Sequence, residues 1–270
     1  MSAPRITVVG SVNLDLVARV ERLPRAGETV TDATFARVKG GKGANQAVAC
    51  ARLGAEVTLV CSVGTDVFAD EALPVEERLT VAASRTEAPT GVALILVDAG
   101  GENQIAVAPG ANAELREFEL PPGDAVLAQL EIPDEAVRRA WEQASGLFCL
   151  NAAPARPIDV DADITVVNRY ELEALRRRDG IVAVTLGAEG AILLEDGEEI
   201  ARAEPPQVDA VDGTAAGDAF TACLLVSWLE GREPEEALRR ACAAGALAAT
   251  RFGAQPSLPT ADELDGILAG

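Results

Sequence analysis

Histidine is absent from all 270 residues. Proton transfer near neutral pH must then fall to Asp, Glu, Lys, Tyr or Cys, because the side chain with the best-placed ordinary pKa is missing. Lysine is scarce as well: of 23 basic residues only Lys39 and Lys42 are lysines, against 43 acidic residues and a formal net charge of −20. A surface of that sign repels a polyphosphate backbone, so nucleic acid is excluded as an expected partner. Two origins of the charge stand side by side, an ordinary acidic enzyme from a GC-rich genome and adaptation to a salt-rich cytoplasm. The five cysteines, Cys50, Cys61, Cys149, Cys223 and Cys242, form no CxxC pair and have no histidine to complete a zinc site. They are expected as buried free thiols. No apolar run approaches the ~20 residues of a membrane helix, and "MSAPRITVVGSV" enters a strand-like run where a signal sequence would place a basic region and an apolar core. The expectation is a cytoplasmic protein without a membrane partner.

What is present is enough apolar sequence, 49% of the chain, for one large domain. Short continuous apolar runs at 5–12, 57–64, 146–152, 164–168 and 181–187 read as strands covered on both faces. Helical patterns fall between several of them, at 43–55, 133–145 and 169–178, the first ending at a glycine and the second starting after a proline. This alternation predicts a layered α/β fold with a mostly parallel sheet. Residues 14–38 and 90–108 break the rhythm and read as β-hairpin material, with turn signals at Pro24 to Gly27 and at Gly100-Gly101. They predict a small sheet over a site, inserted in a single domain.

Two stretches carry chemistry. "GGKGANQA", Gly40 to Ala47, is a glycine-rich turn with a lysine that feeds an apolar helix, so backbone N–H groups and a side chain can approach a polar ligand closely. It has the spacing of neither a Walker loop nor a dinucleotide fingerprint, and a purely structural turn explains it equally well. "VDGTAAGDAF", residues 211–220, places Asp218 in front of a strongly apolar segment. Asp218 there is either a helix cap or a base beside an anion site.

Taken together, and with "GSVNLDLV", "TGVALILVDAGGENQIAVAPGAN", "QLEIP", "NAAPAR", "NRYE", "TLGAEG" and "TRFGAQPSLP" in order between and around them, these stretches resemble the ribokinase-like (PfkB) carbohydrate kinase family from about residue 5 to residue 260. The resemblance implies a three-layer α/β fold, a mostly parallel central sheet flanked by helices, and a small β-sheet lid. It implies an ATP-dependent sugar kinase, with D-ribose as the expected acceptor and deoxyribose or another sugar or nucleoside as the nearest alternative. A sugar- or nucleotide-binding regulator that kept the fold and lost turnover is the reading from another class.

The resemblance also assigns roles. Asn13, Asp15, Gly41, Lys42, Asn45 and Glu131 would hold the sugar. The backbone N–H groups of Ala215, Ala216, Gly217 and Asp218 would form one concavity for the transferred phosphoryl group, with Asp218 as the base that takes the hydroxyl proton. Asn168, Glu171, Thr185 and Gly187 would line the nucleotide site, Glu171 acting on Mg²⁺ indirectly. Asp212 and Thr214, with Arg251, Gly253 and Ser257 of "TRFGAQPS", would surround a monovalent cation, K⁺. A homodimer through the lid completes the expectation. The chain departs from the family at Ala69, where a glycine is common, at Pro74, at Gly213, where Thr or Ser is usual, and between Glu171 and the next strand, where relatives insert a further helix. A short helix after Asp66 follows from this, and the single helix 169–178 must make the crossover.

Overall fold

The computed structural model describes residues 2–175 and 180–269. Strand β1 (Arg5–Val9) opens a nine-stranded sheet, and β2 (Asn13–Arg19) and β3 (Thr34–Gly40) leave it for a second, four-stranded sheet. Helix α1 (Lys42–Arg52) returns the chain to the large sheet at β4 (Glu56–Gly64), and the one-turn helix α2 (Ala69–Ala72) leads to β5 (Leu79–Thr86). Strands β6 (Gly91–Val97) and β7 (Asn103–Ala108) complete the small sheet. A 3-10 turn at Gly110–Glu114 precedes β8 (Ala125–Gln129), α3 (Asp134–Gln143), β9 (Leu147–Asn151), β10 (Ile164–Asn168), β11 (Ile181–Thr185), β12 (Ala191–Glu195) and β13 (Glu198–Ala203). Helices α4 (Ala216–Leu229), α5 (Pro234–Ala249), α6 (Ala254–Ser257) and α7 (Ala261–Ala269) follow.

The large sheet has the order β13-β12-β11-β10-β9-β8-β1-β4-β5, parallel from β11 to β5 and antiparallel at β12 and β13. Period two sorts its side chains. Ile6, Val8, Ile181 and Ala183 pack with α1, α4 and α5 on one face, while Val9, Val182 and Val184 pack with α3 on the other. Helix α4 is apolar on every side and buried from Asp218 to Ser227, because α1, α5 and the sheet enclose it. Leu224 and Leu225, both 0% exposed, each contribute about 1.5–3 kcal/mol by burial. That packing fixes the helix whose first turn carries Asp218. All five cysteines are buried and free, and burial pushes each thiol up, so they are inert core residues.

The small sheet runs β3-β2-β6-β7 and forms the lid at 14–38 and 90–108 that the sequence predicts. Asp15 pairs with Val38 on one side and Ala93 on the other, which sets Asp15, Val17 and Arg19 on the face toward the large sheet's open edge. At the β6–β7 turn Asp98 accepts the N–H groups of Gly100 and Glu102, both at 2.9 Å, and Gly101 takes φ +84°.

One expected element differs. The helix predicted over 169–178 is a 3-10 turn at Glu171–Ala174, Leu175 is already extended, and 176–179 lie outside the described residues. The crossover from β10 to β11 must run back the length of a five-residue strand, about 17 Å. Ten helical residues advance about 15 Å, which leaves only residues 179–180 to turn into β11.

Candidate active site

Strand order reverses at β1, whose neighbours are β4 and β8. In an open α/β sheet the ends of strands at such a reversal bound the ligand crevice. Here β1 runs through Gly10, Ser11 and Val12 straight into the lid. A Cβ on Gly10 would overlap the Gln129 side chain, so only glycine lets the chain pass the end of β8. The Ser11 hydroxyl donates to Glu131 Oε2 at 2.5 Å and accepts the Gly43 N–H at 3.3 Å, and the Lys42 N–H reaches the same Glu131 oxygen at 3.1 Å. Glu131 thus lies at the N-terminus of α1, where the helix dipole favours its charge. Gly41 caps that helix at φ +87°, with no room for a side chain against Ser11 and Asn13.

Asp218 is buried in the first turn of α4, opposite the start of α1. Asn45 Nδ2 donates to its Oδ2 at 3.0 Å and Gln46 Nε2 to its Oδ1 at 2.9 Å. Burial pushes the Asp218 carboxyl above the usual range; Lys42 and the two amides pull the other way, and Glu131 adds to the rise. The Lys42 ammonium is held above its ordinary value chiefly by Asp218, with Glu131 and Glu171 contributing. Asp15, on the lid, is pushed up to about 7, first by burial and then by the charges of Glu131 and Asp218. A Cβ at Gly40 would overlap its carboxylate, so the glycine before Gly41 leaves space for Asp15. Asn13 is fixed by Asn112, whose Nδ2 donates to Asn13 Oδ1 at 2.8 Å while its Oδ1 accepts the Val12 N–H at 2.9 Å. Asp15, Lys42, Asn45 and Glu131 are thus brought together around Asp218, with Asn13 and Gly41 packed against each other beside them. Ser11 and Asn112, to which no motif of the sequence gives a role, orient Glu131 and Asn13, and Gln46 orients the acid beside them.

The turn into α4 differs in detail from expectation. Ala215 is left-handed, φ 62°, and closes a turn in which the Ala216 N–H donates to the Gly213 carbonyl at 3.2 Å. Ala216 is thereby withdrawn from the four-donor concavity. Gly217 and Asp218 carry first-turn N–H groups, which have no carbonyl within the helix, and Gly217 lines the cleft at the start of α4. Asp212 accepts Thr214 N–H and hydroxyl at 2.9 and 2.6 Å on Oδ1, and Gly253 N–H at 2.9 Å on Oδ2. Burial works against its charge, but these bonds and the positive charge of Arg19 hold its carboxyl below the usual value. Asp212, Thr214 and Gly253 are together as expected. The Arg251 side chain pairs with Glu263 on the surface, so the loop would reach the ion through its backbone, and the Ser257 hydroxyl donates to Ala254 O at 2.8 Å.

Thr185 and Gly187, at the end of β11, line a cleft of about 480 Å³ with Gly213, Ala216, Gly217, Phe220 and Gly245. It ends at the start of α4 and is otherwise mostly apolar, lined in part by Pro205, Pro206, Val208 and Ala249. Gly187 has φ +65°, and no atom lies within 4 Å of where a Cβ would stand, so it is open toward the cleft. Asn168 and Glu171 brace each other: Asn168 Oδ1 accepts the N–H groups of Tyr170 and Glu171 at 2.9 and 2.8 Å, and Glu171 Oε2 accepts the Asn168 N–H at 2.8 Å. Among the described residues no three His, Cys, Asp or Glu side chains are grouped to hold a metal. The donor set fits a magnesium ion held mostly by phosphate oxygens and water, with Glu171 at a distance.

A switch-point crevice that joins a polar, lidded pocket to an apolar cleft across a buried acid and free helix-start donors is the architecture of a small-molecule phosphotransferase. The chain belongs to the pfkB family of carbohydrate kinases, whose sequence model matches residues 3–261. It is similar to the ribokinase of Bacillus subtilis (strain 168), 36% identical over 295 residues that cover 98% of this chain and 99% of that protein. Among solved structures, the ribokinase of Thermotoga maritima superposes with TM-score 0.86 at 32% identity, covering 99% of this chain and 100% of that one. The Arabidopsis thaliana ribokinase complexed with ribose and ATP does so with TM-score 0.82 at 30% identity, covering 100% of each chain. Among the described residues no helix is long and apolar enough to cross a membrane.

Proposed function

We propose that this chain transfers the γ-phosphoryl group of ATP to the primary hydroxyl of D-ribose, giving D-ribose 5-phosphate. The observation that carries the reading is Asp218, buried and held on both carboxylate oxygens at the helix start between the two clefts. With no histidine in the chain, it is the base that takes the hydroxyl proton, and its raised pKa suits that task. The Gly217 and Asp218 N–H groups, with Ala215 beside them, stabilise charge that builds on the transferred group. Asn13, Asp15, Gly41, Lys42, Asn45 and Glu131 bind and orient the sugar. Lys42, buried among carboxylates, also offsets their charge.

Thr185 and Gly187 line the nucleotide's path, with Asn168 and Glu171 at its phosphate end. Magnesium would neutralise phosphate charge there. Potassium beside Asp212, Thr214 and Gly253 would firm the turn that leads to Asp218. Residues 1–270 act as one domain with the lid segments inserted, and the lid serves as the surface of a homodimer. Phe35 and Leu94, 66% and 54% exposed, support that surface. The cytoplasm as location is supported by the free thiols.

The experiment is an ADP-release assay over ribose, deoxyribose, fructose and adenosine. The reading expects the highest kcat/KM on ribose. A preference for deoxyribose would reassign the substrate, and binding without ADP release would make the protein a regulator.

A further inference from the structure

We infer that Gln46 is a positioning residue for the Asp218 carboxylate: its amide, anchored on Asn151, fixes Oδ1 toward the protein, while Oδ2, which accepts from Asn45, keeps its other lone pair for the substrate hydroxyl. The inference rests on the reading of Asp218 as the base. Gln46 is 0% exposed, on the inner side of α1. Its Nε2 donates to Asp218 Oδ1 at 2.9 Å and to Asn151 Oδ1 at 3.0 Å, and Asn151 Nδ2 in turn donates to Val166 O at 3.3 Å. Both amide hydrogens are thus committed. The orientation of the amide follows from chemistry, because the flipped form would face two oxygens with a third.

The other end of the side chain is informative. Gln46 Oε1 is buried and accepts no hydrogen bond among the described residues. A buried carbonyl without a donor is costly, and helix packing alone is better served at this position by an apolar side chain of the same length. Asn45, one residue earlier and on the sugar side in the proposed reading, donates to Oδ2. Two consecutive residues of one helix therefore hold the two oxygens separately, which fixes the plane of the carboxylate.

The charges that face Asp218 come from three other places: Lys42 at the start of α1, Glu131 beyond β8, and Asp15 on the lid. Gln46 is a neutral donor among them. Its loss raises the proton affinity of Asp218 and frees the carboxylate to rotate, without touching the sugar.

The test is the pH dependence of kcat, at saturating ribose and ATP, for Gln46→Met and for the isosteric Gln46→Glu. Asp218→Asn is measured in parallel. Loss of one hydrogen bond to a carboxylate moves the acid limb of the profile upward by about one to two pH units, and Gln46→Glu, which adds a like charge, moves it at least as far. The KM for ribose stays within about threefold of the parent, a split that a merely structural defect does not produce. An acid limb that stays at the parent's pH in the variants that fold, while Asp218→Asn loses at least about 10²-fold, overturns the role of Gln46 alone. Near-parental turnover in Asp218→Asn overturns both this role and the base assignment.

Discussion

The Arg19 guanidinium carbon lies 3.6 Å from the centroid of the Phe252 ring. Arg19 is the last residue of lid strand β2, four positions from Asp15 on the same face, and Phe252 precedes Gly253, whose N–H holds Asp212. The cation stacked on the ring therefore ties the lid to the loop and turn that lead to Asp218. Such a contact is worth about 0.5–2 kcal/mol, so Arg19→Ala or Phe252→Ala should raise the ribose KM by about two- to thirtyfold and leave kcat nearly unchanged. Steady-state kinetics with ribose varied checks this, and an unchanged KM in both variants removes the latch.

Asp15 couples sugar binding to stability. Its folded pKa of about 7 lies above the ordinary 3.8, so the folded protein keeps a proton that the unfolded chain releases between those values. The stability this group contributes is whole below about pH 4 and is lost as the pH rises through 7, a difference of up to about 4 kcal/mol. Asp15→Asn should therefore melt above the ligand-free parent at pH 8, with the two curves converging toward pH 4 to 5. The same variant should raise the KM for sugar far more than that for ATP. Equal effects on the two substrates would count against a sugar role, and equal melting at pH 8 against the burial argument.

Potassium should raise turnover. Asp212 Oδ1 takes two bonds and Oδ2 one, which leaves acceptor capacity beside the turn for a monovalent ion. Rates in buffer free of sodium and potassium are the baseline, and identical rates after potassium is added would remove the claim.

Phe35 and Leu94 alternate in register with Ala18 and Leu16, on the lid face opposite Asp15. Light scattering on Phe35→Glu/Leu94→Glu should report a monomer where the parent is a dimer. A parent that is monomeric at micromolar concentration contradicts the lid interface.

How much of the fold and site is legible in the sequence depends on where each residue finds its partners. The strands at 57–64, 164–168 and 181–187 are plain because helices cover both faces of the sheet and leave unbroken apolar runs. Strand β5, exposed on alternate residues at one edge, and β13 at the other carry no such run. Asp15, Asn45 and Asp218 stand in motifs. Gln46, Ser11 and Asn112 lie in the same stretches, but their roles are set by partners 172, 120 and 100 positions away, and only the fold shows which group each one holds. Arg251 stands in the expected cation loop through its backbone, while its side chain pairs with Glu263 on the surface. The crossover after Asn168 misleads because "RYELEALRRR" has a helical pattern, whereas at its start the Asn168 and Glu171 side chains hold the chain in a 3-10 turn.

The central claim is that Asp218 removes the sugar proton, and kcat of Asp218→Asn with ribose and ATP tests it most directly. The substitution keeps shape and most of the capping ability; loss of a cap costs about 0.5–2 kcal/mol of stability, whereas loss of a positioned base costs about 10²- to 10⁴-fold in rate. Near-normal melting and ATP binding with turnover slower by at least about 10²-fold is the predicted result. A kcat within a few-fold of the parent would contradict it and reduce Asp218 to the cap of α4.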